Sequence, residues 1–233
     1  FIEPFDYATA GGLGAREAYG ENNGWIYRWD VPHNIADLIE LMGGKEAFRN
    51  NLETMYNTPL GEAKYVFYAQ LPDHTGNVGQ FSMANEPSMH IPYLYNYIGE
   101  PWRTQKRVRT LLDEWFRNDL MGLPGDEDGG GMSAFVVFSM LGFYPITPGL
   151  PIYVIGTPMF ERAVIETGAG KSFEVIAHNY SPTNKYIQSA KLNGKDWTQS
   201  WFEHKELMNG GKLEFTMGNT PNKNWAADSV PPS

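Results

Sequence analysis

The segment from Ser133 to Phe143 is apolar on every face that a helix would present, and this property constrains the fold more than any other. Its apolar residues are Ala134, Phe135, Val136, Val137, Phe138, Met140 and Leu141. A helix without a polar face must be covered on all sides, because exposed apolar surface is unfavourable in water. We therefore predict that this helix lies in the interior.

Amphipathic helices precede that segment within the first 150 residues. Asn34 can cap a helix whose apolar residues recur at helical spacing until Gly43-Gly44 ends it. The stretch from Thr104 to Leu120 has an apolar stripe opposite a charged face. Alternating amphipathic and fully apolar helices indicate two concentric layers, which is the arrangement of an α/α toroid. A plain helical bundle would produce a similar sequence, so that alternative stays open.

Strands are predicted beyond Pro145. The dipeptide Asn193-Gly194 lies between alternating residues and indicates a β-hairpin, because both residues tolerate positive φ. Another alternating run follows Asn209-Gly210-Gly211. We predict antiparallel β structure from about residue 150 to about residue 220. The polar, proline-containing tail from Asn222 to Ser233 is predicted to be poorly ordered.

Composition excludes several classes of function. The net charge of −9 argues against a nucleic-acid partner, because phosphate binding needs a basic surface. The absence of cysteine excludes disulfides and thiolate metal sites. No apolar run reaches the roughly 18 residues that a membrane-spanning helix needs. Because the chain begins with Phe1 rather than Met, we expect a processed product or a fragment of a longer protein.

Three polar clusters lie at loops between the predicted helices. They are Glu21-Asn22-Asn23-Gly24-Trp25, continuing through Tyr27, Trp29 and His33; Asn85-Glu86-Pro87-Ser88; and Gly125-Asp126-Glu127-Asp128-Gly129-Gly130-Gly131. In the third cluster, the glycines allow the loop to fold around an ion, and its carboxylates are suitable calcium ligands. An EF-hand is excluded because Val137 stands where its bidentate Glu would fall. Composition alone favours a solvated acidic turn.

The other two clusters also have local structural explanations. Asn85 can cap a helix that carries Glu86 in its first turn. Glu21 alone resembles a surface residue, but its aromatic neighbours would raise the pKa of its carboxyl group and suit a general acid. Glycoside hydrolysis needs one protonated and one ionised carboxyl group. Glu21 with either Asp126 or Asp128 fits that division, and the choice between inversion and retention stays open.

Four segments of the chain resemble the signature segments of the glycoside hydrolase family 92 α-mannosidases. They are ENNGWIYRWDVPHN, ANEPSMHIPYLYNYIGEPWRTQ, GDEDGGGMSAFVVFSMLGFYPITPG and YVIGTPMFERAVI, which span most of residues 19–165 in the family's order. The resemblance implies calcium-dependent, inverting exo-hydrolysis of α-mannosides by an (α/α)6 barrel combined with a β-sandwich. On this basis residues 1–150 are expected to form part of the catalytic barrel. Residues 151–233 are expected to form a C-terminal antiparallel β segment and tail.

The same resemblance implies roles for individual residues. Glu21 resembles the family's general acid, and Asp128, with Asp126 beside it, resembles the base that activates water. The residues that resemble the calcium-binding region are Asn85, Glu86 and Asp128. The residues that match the segment shaping the mannose pocket are Trp25, Tyr27, Trp29 and His33. In such enzymes Ca2+ binds the 2- and 3-hydroxyl groups of the terminal mannose.

Departures from the family pattern qualify these expectations. Members specific for the α-1,2 linkage carry His-Glu where this chain has Phe81-Ser82, so the resemblance does not imply that specificity. Family members also have an N-terminal β-sandwich and a first part of the barrel, so we expect a C-terminal fragment that is inactive alone. Its parent would be a periplasmic or extracellular enzyme acting on α-mannoside glycans. A non-catalytic carbohydrate-binding relative is the main alternative; a phosphorylase is disfavoured because Asp126-Glu127-Asp128 would repel phosphate.

Overall fold

The computed structural model of this chain describes residues 19, 22–60, 75–168 and 170–233. These residues fall into two compact units. The first unit comprises the described residues of Phe1–Ile91 together with Asp113–Ala134, and the second comprises Pro92–Leu112 together with the described residues of Phe135–Ser233. Within the described ranges, no helix combines the length and the apolar character that a bilayer crossing demands.

Helices predominate before residue 142 and strands after it. The α-helices are α1 Gly24–Tyr27, α2 Ile35–Leu41, α3 Lys45–Asn57, α4 Pro101–Trp115, α5 Gly131–Leu141 and α6 His204–Met208, and 3-10 helices span Glu86–Ser88, Ile91–Ile98 and Asp128–Gly130. The strands are β1 Asn77–Val78, β2 Phe81–Ser82, β3 Phe143–Tyr144, β4 Ile152–Ile155, β5 Arg162–Gly168, β6 Lys171–His178, β7 Tyr186–Leu192, β8 Lys195–Asp196, β9 Trp201–Glu203 and β10 Gly211–Gly218.

The first unit contains helices α1 to α3 and the antiparallel β1–β2 hairpin. The predicted cap of α2 is confirmed, since the Asn34 side-chain oxygen accepts a hydrogen bond from Asp37 N–H at 3.2 Å. Gly43 and Gly44 both have positive φ and separate α2 from α3, as the sequence indicates. The largest fully buried side chains of this unit are Trp29, Phe48, Phe81 and Ile26.

The second unit contains a five-stranded sheet in the order β5-β6-β10-β7-β8 and a three-stranded sheet in the order β3-β4-β9. The predicted hairpin is confirmed, because β7 and β8 pair antiparallel across Asn193 and Gly194, which both have positive φ. The prediction of purely antiparallel structure is wrong for one pair, since β6 and β10 run parallel. These two strands are separated in sequence by β7 to β9 and α6, so no local turn sets their relative direction.

The C-terminal tail is ordered, which contradicts the prediction. Trp225 is buried in the hydrophobic core of the second unit, and its Nε1–H donates to the Trp197 carbonyl at 3.1 Å. The Asn222 side-chain nitrogen donates to the Gln188 carbonyl at 2.8 Å. The tail is polar on average but contains Trp225. Burial of that side chain offsets the entropic cost of ordering the chain around it.

Helix α4 is shorter than predicted and is more buried on its polar side. It ends at Trp115 rather than Leu120, because Arg117 N–H donates to the Gly122 carbonyl at 2.9 Å and closes a tight turn. Arg109 belongs by its spacing to the predicted charged face of this stretch, but it is buried, and its guanidinium donates to the Pro158 carbonyl at 2.5 Å. A charged residue therefore cannot be assigned to a solvated face from spacing alone.

The apolar helix is present as α5, but it is not covered on all sides in this chain. Met132 and Phe135 are fully buried, whereas Val137 is 58% exposed and Ala134 is also exposed. The prediction of complete burial is therefore wrong for one face of α5. An exposed valine in a helix without a polar face indicates a surface that would gain stability from a further covering element.

Candidate active site

The first polar cluster is organised by helix α1. Asn23 caps this helix, since its Oδ1 accepts hydrogen bonds from Trp25 N–H at 2.9 Å and from Ile26 N–H at 3.3 Å. The cap fixes the backbone at the start of α1 and directs Trp25 into the interior. Tyr27 is half-buried and stacks on Tyr19, with the ring centroids 5.6 Å apart. Glu21, the expected general acid, lies outside the described residues.

Trp29 and His33 occupy different environments. Trp29 is fully buried and packs edge-on against Phe48, with the ring centroids 5.2 Å apart. Its carbonyl lies 2.8 Å from Nε2 of the buried His90, and burial lowers the pKa of that imidazole. His33 is exposed. Among the four residues expected to shape a sugar pocket, Trp29 thus also supports the core.

The second cluster forms the 3-10 helix Glu86–Ser88. Asn85 precedes it and is almost completely buried, but its side chain makes no capping hydrogen bond to that helix. The structural explanation of Asn85 as a cap is therefore not supported. Helix α1 lies beside both β2 and this 3-10 helix, so the first and second clusters are neighbours within one unit.

The third cluster, the acidic loop Gly125–Gly131, folds against the second cluster at both of its ends. At one end, a Cβ on Gly125 would lie 2.5 Å from the Ala84 carbonyl oxygen. At the other end, a Cβ on Gly131 would lie 2.6 Å from Glu86 Oε1. Both glycines therefore permit close approaches that a side chain would obstruct, and the acidic loop and the Asn85-Glu86 pair come together.

The three carboxylates of the acidic loop have different environments. Asp126 and Asp128 are exposed, and Asp128 has a φ of 50°, which is unusual for a residue with a side chain. Glu127 instead accepts hydrogen bonds from its own loop, and the bonds from the hydroxyl and backbone amide of Ser133 lower the pKa of its carboxyl group. This role of Glu127 was not predicted from the sequence, although an acidic residue shortly before a helix is a recognisable capping signal.

The oxygen donors of the second and third clusters are of the type that a hard cation prefers. Asn85, Glu86 and Asp128 offer amide and carboxylate oxygens, and the Glu86 carboxylate lies in space that the missing side chain of Gly131 leaves open. The donor types therefore fit calcium, and the glycine at position 131 lets the Glu86 carboxylate approach the acidic loop. In the part of the chain that the structure describes, no group of three or more His, Cys, Asp or Glu residues has the spacing of a metal site.

Several buried polar atoms near the first and second clusters have no hydrogen-bond partner among the described residues. They are the side-chain nitrogen and oxygen of Asn22, the side-chain nitrogen of Asn23, the indole nitrogen of Trp29 and the hydroxyl of Ser88. Such atoms are costly to bury without a partner. A polar ligand would gain affinity from them, and nothing in the sequence distinguishes Asn22, whose oxygen is unpaired, from Asn23, whose oxygen caps α1.

A cavity of about 430 Å³ also opens in the first unit. Its lining residues are Thr75, Gly76, Glu114, Trp115, Arg117, Met121, Leu123, Pro124 and Gly125. The volume lies within the range of small-molecule sites. Because Gly125 belongs both to its wall and to the acidic loop, the cavity borders the third cluster.

Comparison with known proteins places this arrangement in a family. The family model described as the glycosyl hydrolase family 92 catalytic domain matches residues 1–219. A family GH92 α-mannosidase from Bacteroides thetaiotaomicron has a structure similar to this chain, with a TM-score of 0.87 and 33% identity, covering 100% of this chain and 29% of that one. A GH92 inverting mannosidase from Bacteroides thetaiotaomicron VPI-5482 gives a TM-score of 0.80 and 36% identity, covering 98% and 31%.

A third similar protein comes from Arthroderma benhamiae and bears the name "Uncharacterized secreted glycosidase". It is 34% identical over 224 residues, which cover 94% of this chain and 26% of that protein. The chain therefore spans about a quarter to a third of the length of these relatives. Because the family model matches nearly the whole chain, the chain belongs to glycosyl hydrolase family 92.

Proposed function

We propose that this chain is part of a longer enzyme that removes terminal α-linked mannose from glycans by calcium-dependent, inverting hydrolysis. Family membership supports this function, as does the similarity to proteins described as an α-mannosidase and as an inverting mannosidase. The observation that carries the proposal is the close approach of the acidic loop to the Ala84–Glu86 segment at both Gly125 and Gly131. An oxygen-rich site for a cation and a sugar requires such an approach.

The proposed roles follow the family pattern. Glu21 is the general acid that protonates the leaving oxygen, and Asp128, with Asp126 beside it, is the base that deprotonates the attacking water. The exposure of both aspartates is compatible with access to water. The residues proposed to contact the sugar are Trp25, Tyr27, Trp29 and His33.

Calcium is the proposed cofactor, held by Asn85, Glu86 and Asp128. When bound, the ion would attach to vicinal hydroxyl groups of the mannose and favour ring distortion towards the transition state. The chain supplies the oxygen ligands and, through Gly131, the space beside the Glu86 carboxylate. Asn85, which is 1% exposed, would bring an oxygen to the ion from the interior.

The proposed architecture is an incomplete (α/α)6 toroid over residues 1–150, followed by a C-terminal β segment and tail over residues 151–233. The rest of the toroid and an N-terminal β-sandwich would come from the same polypeptide, since relatives are three to four times longer than this chain. We also propose a periplasmic or extracellular location, which the name of the Arthroderma benhamiae relative supports.

The environment of Phe81 and Ser82 bears on linkage preference. Both are fully buried, Phe81 against Tyr56 with the ring centroids 5.0 Å apart. The Ser82 hydroxyl donates to the Thr75 carbonyl at 2.8 Å. These side chains are therefore engaged within the fold, and we propose that α-1,2-linked mannose is not the preferred substrate.

The proposed function is tested with full-length protein and α-1,2-, α-1,3-, α-1,4- and α-1,6-mannobiosides. We expect turnover with calcium, loss of turnover with a chelator, recovery on adding calcium back, and β-mannose as the first product by NMR. Glu21→Gln is expected to abolish turnover while sugar binding persists, whereas the exposed control Glu46→Gln keeps both. Binding without cleavage by the wild type would instead favour a carbohydrate-binding relative. Full activity of Glu21→Gln would remove Glu21 from the acid role.

A further inference from the structure

The middle carboxylate of the acidic loop is bound to the backbone of its own loop. Glu127 Oε2 accepts a hydrogen bond from Gly130 N–H at 2.5 Å, and Oε1 accepts one from Ser133 N–H at 3.1 Å. The Ser133 hydroxyl donates to the same carboxylate. One side chain thus connects the 3-10 helix Asp128–Gly130 to the first turn of α5, and both of its oxygens are occupied as acceptors.

The turn that the Glu127 hydrogen bonds span has an unfavourable backbone conformation. Asp128, Gly129 and Gly130 have φ values of 50°, 67° and 110°, so three consecutive residues lie in the left-handed half of conformational space. Glycine adopts such angles freely, but Asp128 does so at a cost. A strained conformation persists only where surrounding contacts hold it, and the Glu127 hydrogen bonds close directly around this turn.

The neighbouring carboxylates are not held in this way. Among the described residues, no hydrogen bond or ion pair engages the side chain of Asp126 or Asp128, and both are exposed. The position of Asp128 is therefore set by its backbone rather than by side-chain contacts. The backbone in turn is set by Glu127.

We propose that Glu127 is a positioning residue, whose carboxylate holds the left-handed turn that presents Asp128 to its site. This role rests on the proposed function, in which Asp128 is the base. Glu127 itself neither binds calcium nor exchanges a proton with the substrate. Its effect on the reaction is confined to the placement of the residue that follows it.

The test compares Glu127→Gln and Ser133→Ala with wild-type full-length protein, using an α-mannoside that the wild type cleaves. The glutamine amide nitrogen cannot accept a hydrogen bond, so one of the two oxygen contacts is lost. A displacement of about 1 Å at a reacting group costs on the order of 100-fold in rate, so we expect kcat to fall about 10- to 100-fold. KM and the calcium concentration for half-maximal activity are expected to change less than about threefold. Ser133→Ala keeps both backbone donors and should lose less activity.

The controls separate this role from simpler explanations. Glu46→Gln, at an exposed position on α3, is expected to leave kcat unchanged. Retention of full kcat by Glu127→Gln would overturn the positioning role, as would a tenfold or larger rise in the calcium requirement, which would identify a metal ligand. The positioning role would also be overturned if Glu127→Gln and Ser133→Ala lost kcat only together with a large fall in melting temperature. If the wild type cleaves no α-mannoside, the proposed function fails first and this role fails with it.

Discussion

Two adjacent asparagines show how differently one residue type can be used at this site. Asn23 satisfies the first amides of α1 with its side-chain oxygen. Asn22 is just as deeply buried, yet neither polar atom of its side chain has a partner among the described residues. A capping side chain stabilises the fold, whereas an unpaired buried amide destabilises it unless a ligand binds. The side-chain nitrogen of Asn23 also has no partner among the described residues, so the two residues differ in the hydrogen bonds that the Asn23 oxygen accepts.

This difference predicts opposite effects of two alanine substitutions in the full-length protein. Asn23→Ala removes the cap and is expected to cost about 1 kcal/mol, which lowers the melting temperature. Asn22→Ala removes an unpaired amide and is expected to raise the stability by up to about 1 kcal/mol, the gain being reduced by the small cavity left behind. Thermal unfolding without substrate measures both. Activity provides the second readout, because Asn22→Ala should weaken substrate binding while it stabilises the fold.

Equal destabilisation by both substitutions would contradict this interpretation, since it would mean that Asn22 already has a stabilising partner in the full-length protein. An increase in stability without any effect on mannoside binding would show that the amide is unpaired but lies outside the ligand site.

Single residues were predictable where the signal is local. The Asn34 cap is one such case, because a cap depends only on the residues that follow it. The same rule suggested that Asn85 caps a helix, and there it is wrong, since the Asn85 side chain makes no capping bond. Spacing along a chain describes which hydrogen bonds are available, whereas the tertiary structure around a residue decides which are made. Asn22 is a similar case because its burial depends on the tertiary structure, whereas Glu127 bonds to amides three and six residues ahead, which is a local capping signal.

At the scale of elements, local signals predicted the turns and missed the long-range pairings. The hairpin at Asn193-Gly194 follows from the φ preferences of two residues. The parallel pairing of β6 with β10 depends on strands that are more than 30 residues apart, so no dipeptide encodes it. The order in the C-terminal tail was likewise not visible in its average composition, because it depends on where one tryptophan docks.

The docking of this tail gives a direct prediction. Trp225→Ala should lower the stability of the second unit by about 3–5 kcal/mol, because it removes a large buried side chain and leaves a cavity. Lys223→Ala is the matched control. Lys223 is exposed, and its nitrogen lies 5.5 Å from the Trp102 ring centroid, a contact worth only about 0.5–1 kcal/mol. Melting curves of the full-length variants distinguish the two. If Trp225→Ala left the melting temperature unchanged, the prediction of a poorly ordered tail would stand instead.

At the scale of the whole molecule, the residues that the structure describes leave several large apolar side chains exposed. Val137 on α5 is 58% exposed, and Leu120 and Met121 beside the acidic loop are almost entirely exposed. Large apolar side chains in such positions commonly mark surfaces covered by another part of a protein. The chain also covers only 26% to 31% of the relatives compared. Both observations are compatible with the proposed longer enzyme, in which further chain would cover these side chains.

The proposed longer enzyme gives a prediction for the isolated chain. The isolated 233-residue chain should show no measurable turnover of an α-mannoside that the full-length protein cleaves, because a site built from one wall cannot orient the sugar between acid and base. Calcium in excess should not restore activity, because in the proposed enzyme the sugar also needs contacts from the rest of the polypeptide. Circular dichroism controls for folding, and the isolated chain should also bind a hydrophobic dye that the full-length protein excludes. Turnover by a folded, isolated chain at even about 1% of the full-length rate would show that the residues described above form a self-sufficient site.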